Sequence, residues 1–150
     1  MTTTTSSRHQ DGLIARMMHR TVAILTRLGI SVLGTRMLYV RGRRTGQWRS
    51  APVNLLVHDG ARYLVAARGE TQWVRNLRHA GTGELRLGRR VERFTATELA
   101  DAEKPPVLRA YLARWHFEVA QYFDGVGPGA PDHELLRVAP AHPVFRIAAR

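Results

Sequence analysis

The sequence lacks cysteine, contains a single lysine, and has no apolar run long enough to cross a membrane. Without cysteine the chain can form neither disulfide bonds nor thiolate metal sites. A transmembrane helix needs about 20 consecutive apolar residues, and every apolar run here is much shorter. These absences favour a cytoplasmic protein in a reducing compartment. Peripheral contact with the inner face of the cell membrane is the alternative.

The residue patterns of several enzyme classes are also missing. The chain has no HExxH, GxSxG, GxGxxG or Walker motif, and its seven histidines are scattered without the spacing of metal ligands. Acidic residues are sparse in the centre of the chain, which argues against hydrolysis by paired carboxylates. No metal site and no catalytic residue is therefore predicted. Any redox reactivity would belong to a bound cofactor.

Arginine is abundant. It supplies 22 of the 23 basic residues, and the formal net charge is +11. Residues 36–93 carry 13 arginines against four acidic residues, so most of the excess charge lies there. A polyanionic ligand would be drawn to such a segment. Nucleic acid is not the expected partner, because aromatic residues are few and no basic recognition helix is visible.

The chain reads as one domain that follows a polar tail. Residues 1–12 are predicted to be disordered, and residues 13–150 to form a single domain. Within it, residues 13–33 have apolar positions at helical spacing with arginines between them. This amphipathic helix either packs on the domain or rests on an anionic membrane surface.

From residue 36 onward, short apolar runs separated by glycine-containing turns indicate β-strands. The predicted fold class is α+β, mainly β. It is a small antiparallel split β-barrel of about six strands with the N-terminal helix, one inserted helix and C-terminal helices. The inserted helix begins after Thr71, a plausible N-cap residue. Pro52 indicates an edge or a bulge in the second strand. The predicted strands cover residues 36–40, 49–57, 61–67, 83–88, 90–99 and 142–148.

The turn between the first two strands is the strongest candidate site. Arg43, Arg44 and Thr45 lie between Gly42 and Gly46. Glycine permits the backbone angles of a concave turn, and arginine binds phosphate through paired hydrogen bonds. These residues, with the nearby Arg49, therefore predict an anion site. The alternative is an exposed hairpin with solvated charges.

Three segments in order, "VRGRRTGQWRSAPV", "YLVAARGETQWVRNLR" and "HPVFRI", resemble the deazaflavin-dependent nitroreductase family. Members of that family are split β-barrel flavin and deazaflavin oxidoreductases of actinobacteria. The similarity covers residues 36–100 well and the end of the chain more loosely. The loop at residues 67–73 and the C-terminal region depart from well-known members, so the resemblance does not carry over their substrate.

The resemblance implies coenzyme F-420, an 8-hydroxy-5-deazaflavin with a phosphodiester and an oligoglutamate tail, as the cofactor; FMN is the alternative. By matching position, the resemblance assigns three sets of cofactor-binding residues. The residues that would contact the phosphate are Arg43, Arg44, Thr45 and Gly46, with help from Arg49. The residues that would pass close to the ring are Ala66, Ala67, Arg68 and Gly69, and Trp73 and Asn76 would brace the cofactor from the helix. For Trp73, plain core packing is the alternative.

The implied function is hydride transfer from reduced F-420 to an electron-poor acceptor: a quinone, an enone or a nitro compound. The alternative is a non-catalytic split-barrel protein that binds flavin, deazaflavin or haem. Tyr111 or Tyr122 would line the acceptor side unless they pack in the core. Arg75 and Arg78 would reach the tail carboxylates or be solvated. The expected partners are the small-molecule acceptor and a second copy of the chain in a homodimer.

Overall fold

The structure is a computed structural model that describes residues 35–150. The predicted tail at residues 1–12 and the predicted helix at residues 13–33 lie outside the described residues. Six strands and three α-helices form the described domain. The strands are β1 Thr35–Arg41, β2 Trp48–His58, β3 Ala61–Val65, β4 Thr82–Leu87, β5 Arg90–Glu98 and β6 Val144–Ala149. The helices are α1 Gln72–Ala80, α2 Pro105–Val119 and α3 Asp132–Val138.

The strands close into an antiparallel barrel with the order β1-β2-β3-β6-β5-β4. Closure comes from the pairing of β1 with β4, in which Leu38 faces Leu85. Helix α1 is inserted between β3 and β4, and α2 and α3 fill the connection from β5 to β6. This confirms the predicted fold class, the number of strands and the place of the inserted helix.

The sequence predicts a helical segment from Asp101 through Trp115, and the structure differs from these bounds. A 3-10 turn occupies Asp101–Glu103, and α2 then runs from Pro105 to Val119 with non-helical angles at Trp115. Pro105 and Pro106 stand at the first helical positions, where proline costs no hydrogen bond. The glycine- and proline-containing sequence of residues 124–133 predicts a loop, but α3 begins within it, at Asp132. The seven residues of α3 are too few for a clear helical periodicity.

Strand β2 has one unpaired edge beside the candidate site. Its pairing with β1 runs without interruption from Asn54 to Trp48, whereas its pairing with β3 begins only at Leu55. Pro52 therefore lies in the half of β2 that has a single strand neighbour among the described residues. Because proline lacks the N–H group that a second neighbour would need, this position suits it. The predicted edge is confirmed, and the continuous register shows no bulge.

Two apolar clusters hold the domain together. The first fills the barrel, where Leu38, Leu64 and Phe94 are fully buried and α1 contributes Val74 and Leu77. Burial of such side chains stabilises a fold by about 1.5–3 kcal/mol each. Helix α1 is therefore held firmly over one end of the barrel. The second cluster lies under the C-terminal helices and is built around Leu108, Leu112, Trp115, Phe123 and Leu135.

His142 joins the barrel to the C-terminal helices. Its ring stacks on Phe123 with 3.9 Å between centroids and 9° between planes, and its Nδ1 lies 3.2 Å from the carbonyl oxygen of Ala66. Burial lowers the pKa of His142 below its ordinary value of 6.5, and the positive charge of Lys104 lowers it further. The folded protein therefore favours the neutral ring.

This pKa shift predicts an acid-sensitive fold. Above pH 6.5 the ring is neutral in both states, and the stabilisation is fully present. As the pH falls below 6.5, the unfolded chain binds a proton more readily than the folded one, so the free energy of unfolding should decrease. His142→Phe keeps the stacked ring and should flatten this dependence between pH 7.5 and 5.5 in urea unfolding. The exposed His79→Phe is the control, and equal slopes for the unaltered protein and His142→Phe would contradict the assignment.

Candidate functional site

The turn between β1 and β2 is held in a compact shape by its own backbone. The N–H of Gly42 donates to the carbonyl of Gln47 at 2.7 Å, and the N–H of Gly46 donates to the carbonyl of Gly42 at 2.8 Å. Gly46 has a φ of 72°, a left-handed conformation that favours glycine. The hydroxyl oxygen of Thr45 accepts from the Gln47 N–H at 3.3 Å. The hydrogen of that hydroxyl therefore remains available to a ligand.

Arg41 braces the same turn from the outer face of the barrel. Its Nη1 donates to the carbonyl of Gly46 at 3.1 Å, and its guanidinium lies 4.2 Å from the centroid of the Trp48 ring. A cation stacked on an indole at this distance contributes about 0.5–1 kcal/mol at an exposed site. Arg41 therefore supports the turn.

A buried amide ties the turn to helix α1. The backbone N–H of Arg43 donates to Oδ1 of Asn76 at 3.1 Å, and Nη1 of Arg43 donates to the same oxygen at 2.9 Å. Nη1 also lies 3.0 Å from Oε1 of Gln72. Asn76 is 4% exposed, so the two bonds to its oxygen are partly shielded from water, whereas the bond to Gln72 is exposed. Arg43 thus acts first as a tether to the helix, although its remaining donors can still reach a ligand.

The two Arg43 donors also settle the orientation of the Asn76 amide. The atom that accepts both hydrogen bonds must be oxygen, so the NH2 group points elsewhere. No residue among 35–150 accepts a hydrogen bond from this nitrogen. Asn76 is 4% exposed and lines the cavity described next, where its Nδ2 is a donor without a partner among the described residues.

An open cavity of about 850 Å³ lies between the turn, the unpaired edge of β2 and the start of α1. No carboxylate or histidine is among its described lining residues, and Arg44 and Arg49 form no ion pair with any residue of the described range. The wall is therefore rich in hydrogen-bond donors and positive charge. The lining residues are Val40, Gly42, Arg43, Arg44, Thr45, Trp48, Arg49, Ser50, Ala51, Thr71, Gln72, Trp73 and Asn76.

The start of α1 adds the positive end of a helix dipole to this cavity. Thr71 takes the N-cap position with extended angles, as expected, and the first turn of the helix contains no acidic residue. The first N–H groups of a helix have no partner within the helix and favour anions. The Thr71 side chain does not cap them, contrary to the usual role of threonine there.

The predicted ring-contact residues face a different part of the molecule. None of Ala66, Ala67, Arg68 and Gly69 is among the cavity residues. The N–H of Ala66 donates to the carbonyl of Pro143, and the Arg68 guanidinium lies 5.6 Å from the Tyr122 ring. A Cβ on Gly69 would come within 3.0 Å of the carbonyl oxygen of Ala141. This strand end therefore packs towards the C-terminal segments, and its contact with a cofactor stays a prediction.

The remaining predicted residues are divided between the cavity and the core. Arg43, Arg44, Thr45, Arg49, Trp73 and Asn76 all line the cavity, and Gly46 shapes the turn beside it. Trp73 also lies 6.1 Å from the Phe145 ring, so it serves both the cavity wall and the core. The cavity residues that sequence reasoning missed include Trp48, Ser50 and Gln72. Trp48 and Ser50 stand within the quoted basic segment, and their position was the available signal.

The two candidate tyrosines lie away from the cavity. Tyr111 is 3% exposed, lies 5.0 Å from the Trp115 ring, and has a pKa raised to about 12 by burial. It therefore packs in the core. Tyr122 lies beside Arg68 and likewise is not among the cavity residues.

Arg78 is committed to a structural clamp. Its guanidinium bonds both oxygens of Glu70 and both oxygens of Glu98 at 2.7–3.0 Å. These hydrogen bonds raise the pKa of Arg78 and lower the pKa of Glu70. Nε of Arg75 also lies 3.9 Å from Oε2 of Glu70. The clamp fixes the loop before α1, so Arg78 is poorly placed to bind a ligand carboxylate.

Comparison with solved structures first defines the class of fold. A protein described as a domain-swapped dimer is 18% identical, with a TM-score of 0.56, over 93% of this chain and 99% of its own. The F420-H2 dependent reductase FDR-A is 19% identical, with a TM-score of 0.53, over 77% and 94%. HutZ, the haem storage protein from Vibrio cholerae, is 9% identical, with a TM-score of 0.52, over 78% and 82%. At these identities the likeness concerns the fold.

The family follows from the sequence itself. Residues 8–126 match the profile of the F420H(2)-dependent quinone reductase family, and the chain belongs to that family. It is therefore an oxidoreductase that depends on reduced coenzyme F-420. A search of curated proteins finds no match. Within residues 35–150, no helix is long and apolar enough to cross a membrane, and no cluster of three potential metal ligands occurs.

The Asn76 tether predicts a measurable contribution to stability. Asn76→Ala would leave the Arg43 N–H and guanidinium without their shared acceptor, and should lower the free energy of unfolding by about 1–3 kcal/mol. Gln72→Ala removes one exposed hydrogen bond and should cost less than about 0.5 kcal/mol. Urea unfolding of the ligand-free protein measures both. Equal effects of the two substitutions would show that the tether is not the stronger contact.

Proposed function

We propose that this protein transfers a hydride from reduced F-420 to a small electron-poor acceptor, and that the cavity at the basic turn holds the phosphate end of the cofactor. The observation that supports this most strongly is the concentration of unpaired donors in one wall. Arg44 and Arg49 have no acidic partner among the described residues, and the Asn76 amide nitrogen has no acceptor. Such a wall suits a ligand with several anionic oxygens.

The chemistry of the donor set agrees with an F-420 phosphodiester. Guanidinium groups at Arg44 and Arg49 would neutralise the phosphate, and the hydroxyl of Thr45 would donate to one of its oxygens. The first-turn N–H groups of α1 would add to the field. A cationic ligand would be repelled by the two guanidinium groups, and a neutral ligand would leave their charge without a counter-ion. The cavity therefore fits the cofactor that the family uses.

Bound F-420 would supply the hydride, and the chain would supply binding and orientation. The tether between Arg43 and Asn76 fixes the turn against α1, so the turn would hold a phosphate in a fixed place relative to the helix. A cofactor anchored at one end has fewer orientations open to its ring. The accompanying proton would come from solvent or from a hydroxyl, because no carboxylic acid or histidine of the described range lines the cavity.

A quinone is the proposed acceptor, in keeping with the family to which the chain belongs. Enones and nitro compounds are the other acceptors to be assayed, and placement among nitroreductases remains a proposal. The comparisons give no support to FMN and do not favour a non-catalytic binding protein. The likeness to a haem storage protein concerns the fold alone.

Assembly and location also remain proposals. A second copy of the chain is the proposed partner, since one similar structure is described as a domain-swapped dimer. A cytoplasmic location is proposed from the absence of cysteine, and peripheral membrane contact from the arginines among the apolar positions of residues 13–33. Such contact would suit a lipid-soluble quinone.

A turnover assay separates the enzyme from a storage protein. Reduced F-420 should be oxidised by catalytic amounts of the protein when a soluble quinone is added, and an enone and a nitroaromatic compound serve as comparison acceptors. Absorbance of oxidised F-420 reports the reaction. Tight binding of F-420 without turnover of any acceptor would instead support the binding protein.

Substitution of the unpaired arginines should weaken cofactor binding. Arg44→Ala should lower F-420 affinity by about 1.5–3 kcal/mol, the range for loss of a charged hydrogen-bond partner. Arg49→Ala should act in the same direction. Arg89→Ala removes the same charge from an exposed position outside the cavity, so it controls for the general field. Fluorescence titration measures the F-420 affinity of all three variants. An unchanged affinity in Arg44→Ala would show that the phosphate does not bind at this turn.

A further inference from the structure

Thr71 carries a hydroxyl that the ligand-free fold does not use. Its Oγ1 is buried, with less than 1 Å² accessible, and has no hydrogen-bond partner among residues 35–150. No other side-chain nitrogen or oxygen of the described residues shares this condition. A buried hydroxyl without a partner loses its hydrogen bonds to water and gains nothing in return. Such a group calls for an explanation at a functional site.

The backbone of Thr71 does satisfy its own hydrogen bonds. Its N–H donates to the carbonyl of Gly69 at 2.8 Å, and its carbonyl accepts from the N–H of Arg75 at 3.2 Å. Its φ of −89° and ψ of 174° are those of an N-cap residue, yet the side chain makes no cap bond. The residue is therefore placed for a cap, while its hydroxyl is turned away from one.

The surroundings of Thr71 point to a ligand. Thr71 lines the same cavity as Asn76, whose side chain is more than nine-tenths buried and whose Nδ2 has no acceptor in the described part of the chain. Two separate side chains on the α1 wall thus keep hydrogen-bonding groups that no residue of the range 35–150 engages. Arg44 and Arg49 add unpaired positive charge in the same cavity.

We propose that Thr71 is a ligand-binding residue whose hydroxyl donates a hydrogen bond to an anionic oxygen of the phosphate-bearing cofactor. Because Oγ1 is buried in the recorded position, the hydroxyl would have to rotate about the Cα–Cβ bond, which has three staggered positions in threonine, to meet a ligand in the cavity. This inference rests on the proposed function and assigns a further contact to that site. It also implies that the hydroxyl stabilises the complex with the cofactor, while its missing hydrogen bond lowers the stability of the ligand-free protein.

Two variants of nearly the same shape test the inference. Thr71→Val replaces the hydroxyl with a methyl group and keeps the β-branch, whereas Thr71→Ser keeps the hydroxyl. In the ligand-free protein, Thr71→Val should have an unchanged or higher melting temperature, since no hydrogen bond is lost. Its dissociation constant for F-420 should rise about 10-fold, the usual order for loss of one hydrogen bond to a charged group. Thr71→Ser should bind within about threefold of the unaltered protein.

Each other result overturns the inference in a recognisable way. A fall of several degrees in the melting temperature of ligand-free Thr71→Val would show that the hydroxyl caps α1. Equal F-420 affinity in Thr71→Val and the unaltered protein would show that the ligand does not contact it, while the proposed function would stand. Failure of the unaltered protein to bind F-420 would overturn the proposed function itself, and this contact with it.

Discussion

The shared oxygen of Asn76 is the contact on which the candidate site depends. It accepts hydrogen bonds from the backbone and the side chain of Arg43, which lies 33 residues away along the chain. One partner belongs to a hairpin turn and the other to a helix that is packed over the barrel by Val74 and Leu77. This contact therefore fixes the turn relative to a helix that is itself packed in the core. Among the described residues, the turn would otherwise be held by its own backbone, by Arg41 and by the exposed hydrogen bond from Arg43 to Gln72.

The arginines of this chain have separate tasks that their number does not reveal. Arg62 pairs with Glu92, Arg78 with Glu70 and Glu98, and Arg86 with Glu84, all at 2.6–3.0 Å. The charges of these three arginines are neutralised by glutamates of the same domain. Arg44 and Arg49 keep theirs in the cavity. The net charge of +11 therefore says less about the site than the lack of carboxylate partners for Arg44 and Arg49 among the described residues.

Much of this arrangement was predictable because its causes are local. The spacing of Gly42 and Gly46 indicates a tight turn, alternating apolar residues indicate strands, and Thr71 marks the start of α1. The resemblance of the basic segment supplied the cofactor class, and the family profile agrees with it.

The parts that sequence reasoning missed depend on contacts between distant segments. The direction of the strand end at Ala66 is set by Pro143 and His142, far along the chain. The tethering role of Arg43 requires Asn76 opposite it, and a helical pattern cannot show which residue the helix faces. Threonine at an N-cap position usually bonds the first turn of its helix, but the Thr71 hydroxyl does not, so no local rule predicts its position.

We propose that the turn held by Asn76 binds the phosphate of F-420. A crystal structure of the protein with bound F-420 is the decisive test. We expect the phosphate within hydrogen-bond distance of Arg44 and Thr45, beside the start of α1, with the Arg43–Asn76 contact intact. A phosphate bound instead near Ala66–Gly69, with Arg44 and Arg49 directed into solvent, would contradict it.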